Sequence, residues 1–212
     1  MQFNEAQIQA IQHNTGPCMV IAGPGSGKTT VLTHRVRYLI ERYGVNPSDI
    51  LVITFTKAAA EQMKLKFKGL SEGRNSAVTF GTFHAVFFTI LKAAYNYSAH
   101  CIIKPQIQHE FVKDQMCRLE LEYDDENEAV AGVLSEISCV KGEDVNIDEY
   151  ESRCIPPQSF RIMYRAYDDM LVRKHLIDFD DMIVQCRELL MQREDYRRAW
   201  QNKYKYILID EF

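Results

Sequence analysis

The chain has 212 residues, of which 46% are hydrophobic and 25% charged, and its formal net charge is −4. Its apolar stretches are far shorter than a membrane span, and the initial MQFNEAQIQA lacks the basic flank and apolar core of a signal peptide. The six cysteines form no C-x-x-C pair and the six histidines no H-x-x-x-H pair, which argues against a zinc site. These totals predict a globular cytoplasmic protein with reduced thiols and no membrane contact.

Four apolar runs predict β-strands. The first three are CMVIAG at 18–23, DILVITF at 49–55 and SAVTFGTF at 76–83, and the fourth extends from Lys205 to Ile209. Helical patterns follow each of the first three runs. Continuous apolar strands that alternate with helices are typical of a parallel sheet with helices on both faces, so we predict an α/β fold.

The pattern changes between Tyr97 and Asp178, where strand signals vanish and helical spacings dominate. We predict that this stretch is an all-helical insertion, and that a helix over about Phe179–Met191 returns the chain to the sheet. Asp178, Asp180 and Asp181 stand at the start of that helix. An N-cap with acids in the first turn explains these three residues without a functional role.

The segment AGPGSGKTT at 22–30 carries the strongest local signal for a ligand, because it follows a predicted strand and precedes a helical pattern. Its three glycines allow the backbone angles that point successive N–H groups at phosphate oxygens. Lys28 supplies a charge for the β- and γ-phosphates, and the hydroxyl of Thr29 can bind Mg²⁺. The usual motif begins with Gly, where this chain has Ala22. The alternative is a plain glycine-rich turn with a surface lysine.

Asp210 and Glu211 follow the fourth predicted strand. Ligands of parallel sheets bind at the carboxyl ends of the strands, so these acids are expected to face the segment 22–30. An Asp there can hold the hydration shell of Mg²⁺, and an adjacent Glu can polarise a water molecule that attacks phosphate. By themselves the two acids could equally be solvated turn residues. Together with the segment 22–30 they predict a site for ATP with Mg²⁺.

Six short motifs occur in one order along the chain: FNEAQ (3–7), AGPGSGKT (22–29), TFTKAAAEQM (54–63), GTFHA (81–85), IDFDDMI (177–183) and ILIDEF (207–212). Together they resemble the N-terminal part of superfamily 1 DNA helicases of the UvrD/Rep/PcrA kind, over essentially the whole chain. The resemblance implies a P-loop NTPase (RecA-like) fold, a parallel sheet with helices on both faces and an inserted helical subdomain. The ATP-binding core would comprise residues 1–96 and 179–212, and the insertion residues 97–178.

The resemblance also implies roles for single residues. Gln7 corresponds to a glutamine that recognises the edge of adenine, to which one amide can both donate and accept. The alternative is an exposed glutamine on a short helix capped by Asn4. The segments 55–57 and 82–84 correspond to two segments that contact single-stranded DNA, for which aromatic, hydroxyl and basic groups are suited. The family often has Asn before the lysine, where this chain has Thr56, and the aromatic and histidine of the second segment can instead be core residues.

Residue chemistry and resemblance together define one set of candidate site residues and imply ATP and Mg²⁺ as cofactors. The set consists of Gln7, Ala22, Gly23, Pro24, Gly25, Ser26, Gly27, Lys28, Thr29 and Thr30 for the nucleotide, Thr29 and Asp210 for the metal, Lys28 and Glu211 for catalysis, and Phe55, Thr56, Lys57, Thr82, Phe83 and His84 for DNA.

The resemblance implies that the parent protein is an ATP-dependent 3′–5′ DNA helicase of repair or replication, acting on single-stranded or 3′-tailed duplex DNA. A second RecA-like half would supply arginines to the γ-phosphate, so the 212 residues alone are expected to hydrolyse ATP negligibly. The resemblance places a further strand, encoded after Phe212, between the strands that end at Gly23 and Ile209. Without it, the exposed strand edge would lead to self-association or to a disordered C-terminal strand. Two alternatives remain open: the motor of a helicase–nuclease, and a P-loop binding module without motor action.

Overall fold

The computed structural model describes residues 3–71, 77–143 and 145–211. Two predicted features extend outside these ranges. Ser76 is the first residue of the third predicted strand, and Phe212 is the last residue of the ILIDEF motif. Among the described residues, no helix is long and apolar enough to cross a bilayer.

The chain divides into two compact units. Met1–Val86 and Arg193–Phe212 form what we call the sheet unit, and Phe87–Gln192 form the helical unit. The described helices and strands are, in chain order, α1 (Glu5–Gln12), α2 (Lys28–Tyr43), β1 (Ile50–Thr54), α3 (Lys57–Leu70), β2 (Thr79–Thr82), α4 (Phe83–Tyr95), α5 (Pro105–Arg118), α6 (Glu126–Glu143), α7 (Pro157–Lys174), α8 (Phe179–Gln192), α9 (Glu194–Lys203) and β3 (Tyr206–Ile209).

The strands form a parallel sheet in the order β2-β1-β3. Val52 of the central strand lies opposite Phe80 on one side and Leu208 on the other. Every residue of β1 is buried, which explains its apolar sequence, since a strand covered on both faces has no side that contacts solvent. The α/β class and the parallel sheet predicted from the sequence are confirmed.

The first predicted strand, CMVIAG at 18–23, is not a strand in the structure, and this prediction was wrong. Within the described residues, β3 pairs with β1 on one side and with no strand on the other. The run 18–23 pairs with no strand among the described residues, and the side chains of Met19 and Ile21 are 74% and 90% exposed. An apolar run becomes a strand only where a partner strand and a covering layer are present.

Two helices cover one face of the sheet. Val36 of α2 and Met63 of α3 are buried in one cluster with Val52 of β1 and Leu208 of β3. Both helices have apolar residues at spacings of three and four, which places them on a single side. The face of the sheet that carries Val52 and Leu208 is therefore the face on which α2 packs.

The helical unit has its own core. Val112 of α5, Ile137 of α6 and Tyr167 of α7 are almost fully buried and belong to one apolar cluster. An isolated parallel bridge between Ile102 and Ile177 is the one pairing recorded among the described residues of this unit outside the helices. The unit thus packs around residues supplied by its own helices.

A buried charge network connects α6 to the start of α8. The side chain of Lys141 is 5% exposed, and its Nζ donates to Asp178 Oδ2 at 2.9 Å and to Asp181 Oδ1 at 2.7 Å. Asp168 of α7 lies 3.1 Å from the same Nζ, and the hydroxyl of Tyr167 donates to Asp178 at 3.2 Å. Burial lowers the pKa of Lys141, but the charges of Asp178 and Asp181 outweigh this effect and raise it overall.

The acids at 178 and 181 also cap α8. The backbone N–H of Asp181 donates to Asp178 Oδ1 at 2.7 Å, and the N–H of Asp178 donates to Asp181 Oδ2 at 3.2 Å. The predicted structural role of these aspartates is confirmed. Burial and the charge of Asp178 raise the pKa of Asp181 to about 6, although Lys141 counteracts this rise.

Candidate functional site

A glycine-containing loop precedes α2 and leads directly into its first turn. Gly25 and Gly27 have φ angles of 73° and 82°, in the left-handed region that favours glycine. Gly27 is the N-cap of α2, no described side chain caps this end, and the first turn contains no acidic residue. The N–H groups of the first turn and the positive end of the helix dipole are therefore available to an anion.

Lys28 lies across this loop. Its Nζ donates to the carbonyl oxygens of Ala22 at 3.2 Å and Gly23 at 3.1 Å. Ser26 N–H donates to the carbonyl of Gly23 at 3.4 Å, which closes the turn. The residues that the structure brings together at the start of α2 are Ala22, Gly23, Pro24, Gly25, Ser26, Gly27, Lys28, Thr29 and Thr30.

Gln7 of α1 contacts the same loop. It forms a capping box with Asn4, in which Gln7 Oε1 accepts from Asn4 N–H at 3.0 Å and Asn4 Oδ1 accepts from Gln7 N–H at 2.8 Å. Gln7 Nε2 donates to the carbonyl of Ser26 at 3.0 Å. A primary amide has two N–H donors and two oxygen lone pairs. One donor and one acceptor position of Gln7 thus remain for a ligand.

Asp210 follows β3 at the carboxyl edge of the sheet. Its N–H donates to the carbonyl of Ile53 at 2.9 Å, which continues the pairing with β1, and the residue is 9% exposed. Side chains two positions apart in a strand share a face, so Asp210 lies on the face of Leu208, toward α2. Glu211 is exposed and has a φ of 61°, a conformation uncommon for a residue with a side chain.

The charge of Lys28 in the loop affects the pKa of Asp210. Burial raises the pKa of Asp210, and the charge of Glu211 raises it further, whereas Lys28 and Lys66 lower it. Lys28 is therefore close enough to stabilise the ionised form of Asp210.

The two segments predicted to contact DNA follow neighbouring strands. Thr54 and Thr82, the last residues of β1 and β2, are opposite each other in register. The segments 55–57 and 82–84 consequently leave the sheet at the same carboxyl edge. The ring of Phe55 is 71% exposed, so one of its faces can stack on a base.

The other residues of these two segments differ in exposure. The hydroxyl oxygens of Thr56 and Thr82 accept hydrogen bonds from backbone N–H groups at the starts of α3 and α4, at 3.1 and 3.3 Å. Lys57 is exposed, whereas Phe83 and His84 are half-buried. The first segment thus offers more accessible surface to a ligand than the second.

A family model for the UvrD/REP helicase N-terminal domain matches residues 3–212. The chain belongs to this family. The ATP-dependent DNA helicase Rep of Escherichia coli K12 is 34% identical to it over 220 residues. The ATP-dependent DNA helicase PcrA is 30% identical over 222 residues in Staphylococcus epidermidis and 29% identical over 219 residues in Staphylococcus aureus.

These alignments confirm the UvrD/Rep/PcrA resemblance seen in the motifs. They cover 100% of the chain against Rep and 99% against PcrA of S. epidermidis. The chain spans 32% of the length of Rep and 29% of the length of that PcrA. It therefore corresponds to less than a third of each of these relatives.

In this UvrD/REP helicase N-terminal domain, the residues at the start of α2 and at the end of β3 are chemically suited to a nucleotide with Mg²⁺. A Cβ atom added to Gly23 or Gly25 would meet no other atom within 4 Å, so the space above the loop is open to a phosphate group. Mg²⁺ usually keeps several waters and takes one or two protein oxygens besides those of phosphate. The hydroxyl of Thr29 and the carboxylate of Asp210 are oxygens of this kind.

One residue of this edge, Thr54, was missed in the sequence. Thr54 is 1% exposed, and its Oγ1 has no hydrogen-bond partner among the described residues. In the sequence, Thr54 could have been noticed as the one polar residue at the end of the apolar run ILVIT.

Proposed function

We propose that this chain is the ATP- and single-stranded-DNA-binding N-terminal part of an ATP-dependent DNA helicase. The observation that carries the proposal is the uncapped start of α2, where Lys28 lies over the loop and its charge counteracts the rise in the pKa of Asp210. Donors on one side and a carboxylate on the other are suited to a triphosphate with Mg²⁺. The family match and the ATP-dependent DNA helicases Rep and PcrA support the same proposal.

Each predicted residue has a role in this proposal. The N–H groups of the loop and the ammonium of Lys28 bind phosphate oxygens, and Thr29 and Asp210 hold Mg²⁺, which neutralises phosphate charge when bound. Glu211 orients the attacking water and accepts its proton. Gln7 uses its remaining donor and acceptor on the adenine edge.

We propose a RecA-like core made of residues 1–96 and 179–212, with residues 97–178 as a helical insertion. The separate apolar core of the helical unit supports an insertion that packs by itself. The short coverage of Rep and PcrA supports a longer cytoplasmic parent with a second RecA-like half. On this proposal the 212 residues bind ATP but hydrolyse it negligibly, and 3′–5′ movement on DNA belongs to the parent.

Replacing Phe55 with alanine is expected to weaken binding of single-stranded DNA by about 1–3 kcal/mol, the usual effect of losing one base stack. The physical reason is that the ring of Phe55 is 71% exposed, more than any other aromatic ring among the described residues of the carboxyl edge. Fluorescence anisotropy with a labelled oligothymidine measures the affinity. For the unaltered chain we expect the affinity to fall as salt rises.

The matched control for Phe55 is Tyr123→Ala, which removes an aromatic ring of the helical unit that is 40% exposed. This control is expected to bind DNA as the unaltered chain does. Equal affinity of Phe55→Ala and the unaltered chain would contradict the DNA role of segment 55–57. A DNA affinity that does not respond to Mg-ATP would favour a binding module without motor action.

We also propose that the free edge of β3 pairs with a second copy of the 212-residue chain. Ile207 and Ile209 are 57% and 37% exposed, and an uncovered apolar edge offers unpaired backbone groups to another strand. Light scattering after size exclusion is expected to show a mass that rises with concentration, and Ile207→Lys is expected to suppress the rise. The control is Ile162→Lys on α7, which is 47% exposed. A monomer at every concentration would refute this proposal.

A further inference from the structure

Thr54 lies between two residues of the candidate site. It ends the central strand β1, with Thr82 opposite it in β2. On its other side the N–H of Asp210 donates to the carbonyl of Ile53, so that Asp210 continues β3 beside Thr54. Neighbouring strands of a sheet are about 4.8 Å apart. The side chains of Thr54 and Asp210 are therefore direct neighbours.

Both side chains point to the face on which α2 packs. Thr54 is two positions after Val52 and Asp210 two positions after Leu208, and Val52 and Leu208 are buried against α2. Side chains alternate along a strand, so Thr54 and Asp210 share that face. The first turn of α2 is the turn that carries Lys28. Thr54 thus belongs to the side of the sheet on which the loop approaches the acid.

The structure shows no hydrogen bond by which the hydroxyl of Thr54 would stabilise the fold. It is buried, and its Oγ1 bonds to none of the described residues. Burying a hydroxyl without a partner is unfavourable, and valine would fill the same space without that cost. The neighbouring carboxylate of Asp210 likewise accepts no hydrogen bond from the described residues. The Thr54 hydroxyl, which has no acceptor, is thus next to the Asp210 carboxylate, which has no donor.

We propose that Thr54 is a positioning residue, whose hydroxyl donates a hydrogen bond to the Asp210 carboxylate when Mg-ATP is bound. Rotation about side-chain bonds of the two neighbours brings the groups together, and the bond holds the carboxylate in one orientation. Thr54 itself touches neither nucleotide nor metal. The inference rests on the proposed function, because it assigns Thr54 to the site that binds Mg-ATP.

The test compares Thr54→Val with Thr54→Ser in the 212-residue chain. Valine keeps the shape and removes the hydroxyl, whereas serine keeps the hydroxyl. Calorimetry measures the affinity for ATP with Mg²⁺ and with a chelator, and thermal denaturation without nucleotide measures stability. We expect Thr54→Val to melt at the same temperature as the unaltered chain or about 2–4 °C higher. We expect it to bind Mg-ATP about ten-fold more weakly, with unchanged affinity for metal-free ATP. Thr54→Ser should keep the affinity for Mg-ATP.

The outcomes separate the two proposals. If the unaltered chain binds no Mg-ATP, the proposed function fails and this inference fails with it. If the unaltered chain binds Mg-ATP and Thr54→Val binds it equally well, only the positioning role is refuted. If Thr54→Val melts lower and loses affinity equally with and without Mg²⁺, the hydroxyl is structural, which also refutes the role.

Discussion

Replacing Lys141 with methionine is expected to lower the free energy of unfolding by about 3–5 kcal/mol near neutral pH. Methionine has a similar length but no charge, so Asp178 and Asp181 would stay buried without the cation that now lies 2.9 and 2.7 Å from them. Urea denaturation followed by circular dichroism measures the loss. Hydrogen exchange in α6 and α8 shows whether the loss is located in the helical unit.

The loss caused by Lys141→Met is expected to shrink as the pH falls. The pKa of Asp181 is about 6 in the folded chain, above its ordinary value of 3.8. At a pH between 3.8 and about 6, Asp181 binds a proton more readily in the folded chain than in the unfolded chain. A fall in pH through about 6 therefore removes the unfavourable buried charge of Asp181. The deficit of the variant should therefore be larger near neutral pH than near pH 5.

The matched control for Lys141 is Lys113→Met, which removes a lysine whose pair with Glu126 is exposed to solvent. Exposed ion pairs contribute little to stability, so this control is expected to unfold almost as the unaltered chain does. If Lys141→Met unfolded like Lys113→Met at both pH values, the buried network would have no role in holding α6 to α8.

Replacing Lys28 with methionine is expected to weaken Mg-ATP binding by roughly ten- to one-hundred-fold, the range for loss of a charged hydrogen bond. Nζ of Lys28 now bonds to carbonyl oxygens at 3.2 and 3.1 Å and is free to exchange them for phosphate oxygens. Isothermal titration with Mg-ATP measures the change, and circular dichroism checks that the fold is kept. An exposed lysine of α4, Lys92, provides the control Lys92→Met. Equal affinity of both variants would refute the assignment of the loop.

The candidate phosphate loop could be predicted because its chemistry is local. Nine consecutive residues contain the glycines, the lysine and the hydroxyl, and the helix start that they require follows at once. The strand β1 could be predicted as well, because its whole apolar run is buried, whereas in β3 only Leu208 is buried. Asp178 and Asp181 were correctly predicted as a helix cap because capping residues act within one turn.

The contacts that could not be predicted join distant parts of the chain. Gln7 donates to the carbonyl of Ser26, and Lys141 pairs with Asp178 and Asp181. Nothing in the local spacing of these residues indicates their partners. Hydrogen bonds and charge pairs of this kind depend on how elements pack, and they become visible only in the folded chain.

By itself, the sequence determined the α/β class, the candidate phosphate loop, the acidic strand end and the family. Each of these depends on residues that are neighbours along the chain or that recur in a fixed motif order. Only the tertiary structure decided that the run 18–23 is not a strand and that Thr54 stands beside Asp210. A strand needs a partner for its backbone groups, and a buried hydroxyl needs an acceptor within reach, so both depend on what packs alongside.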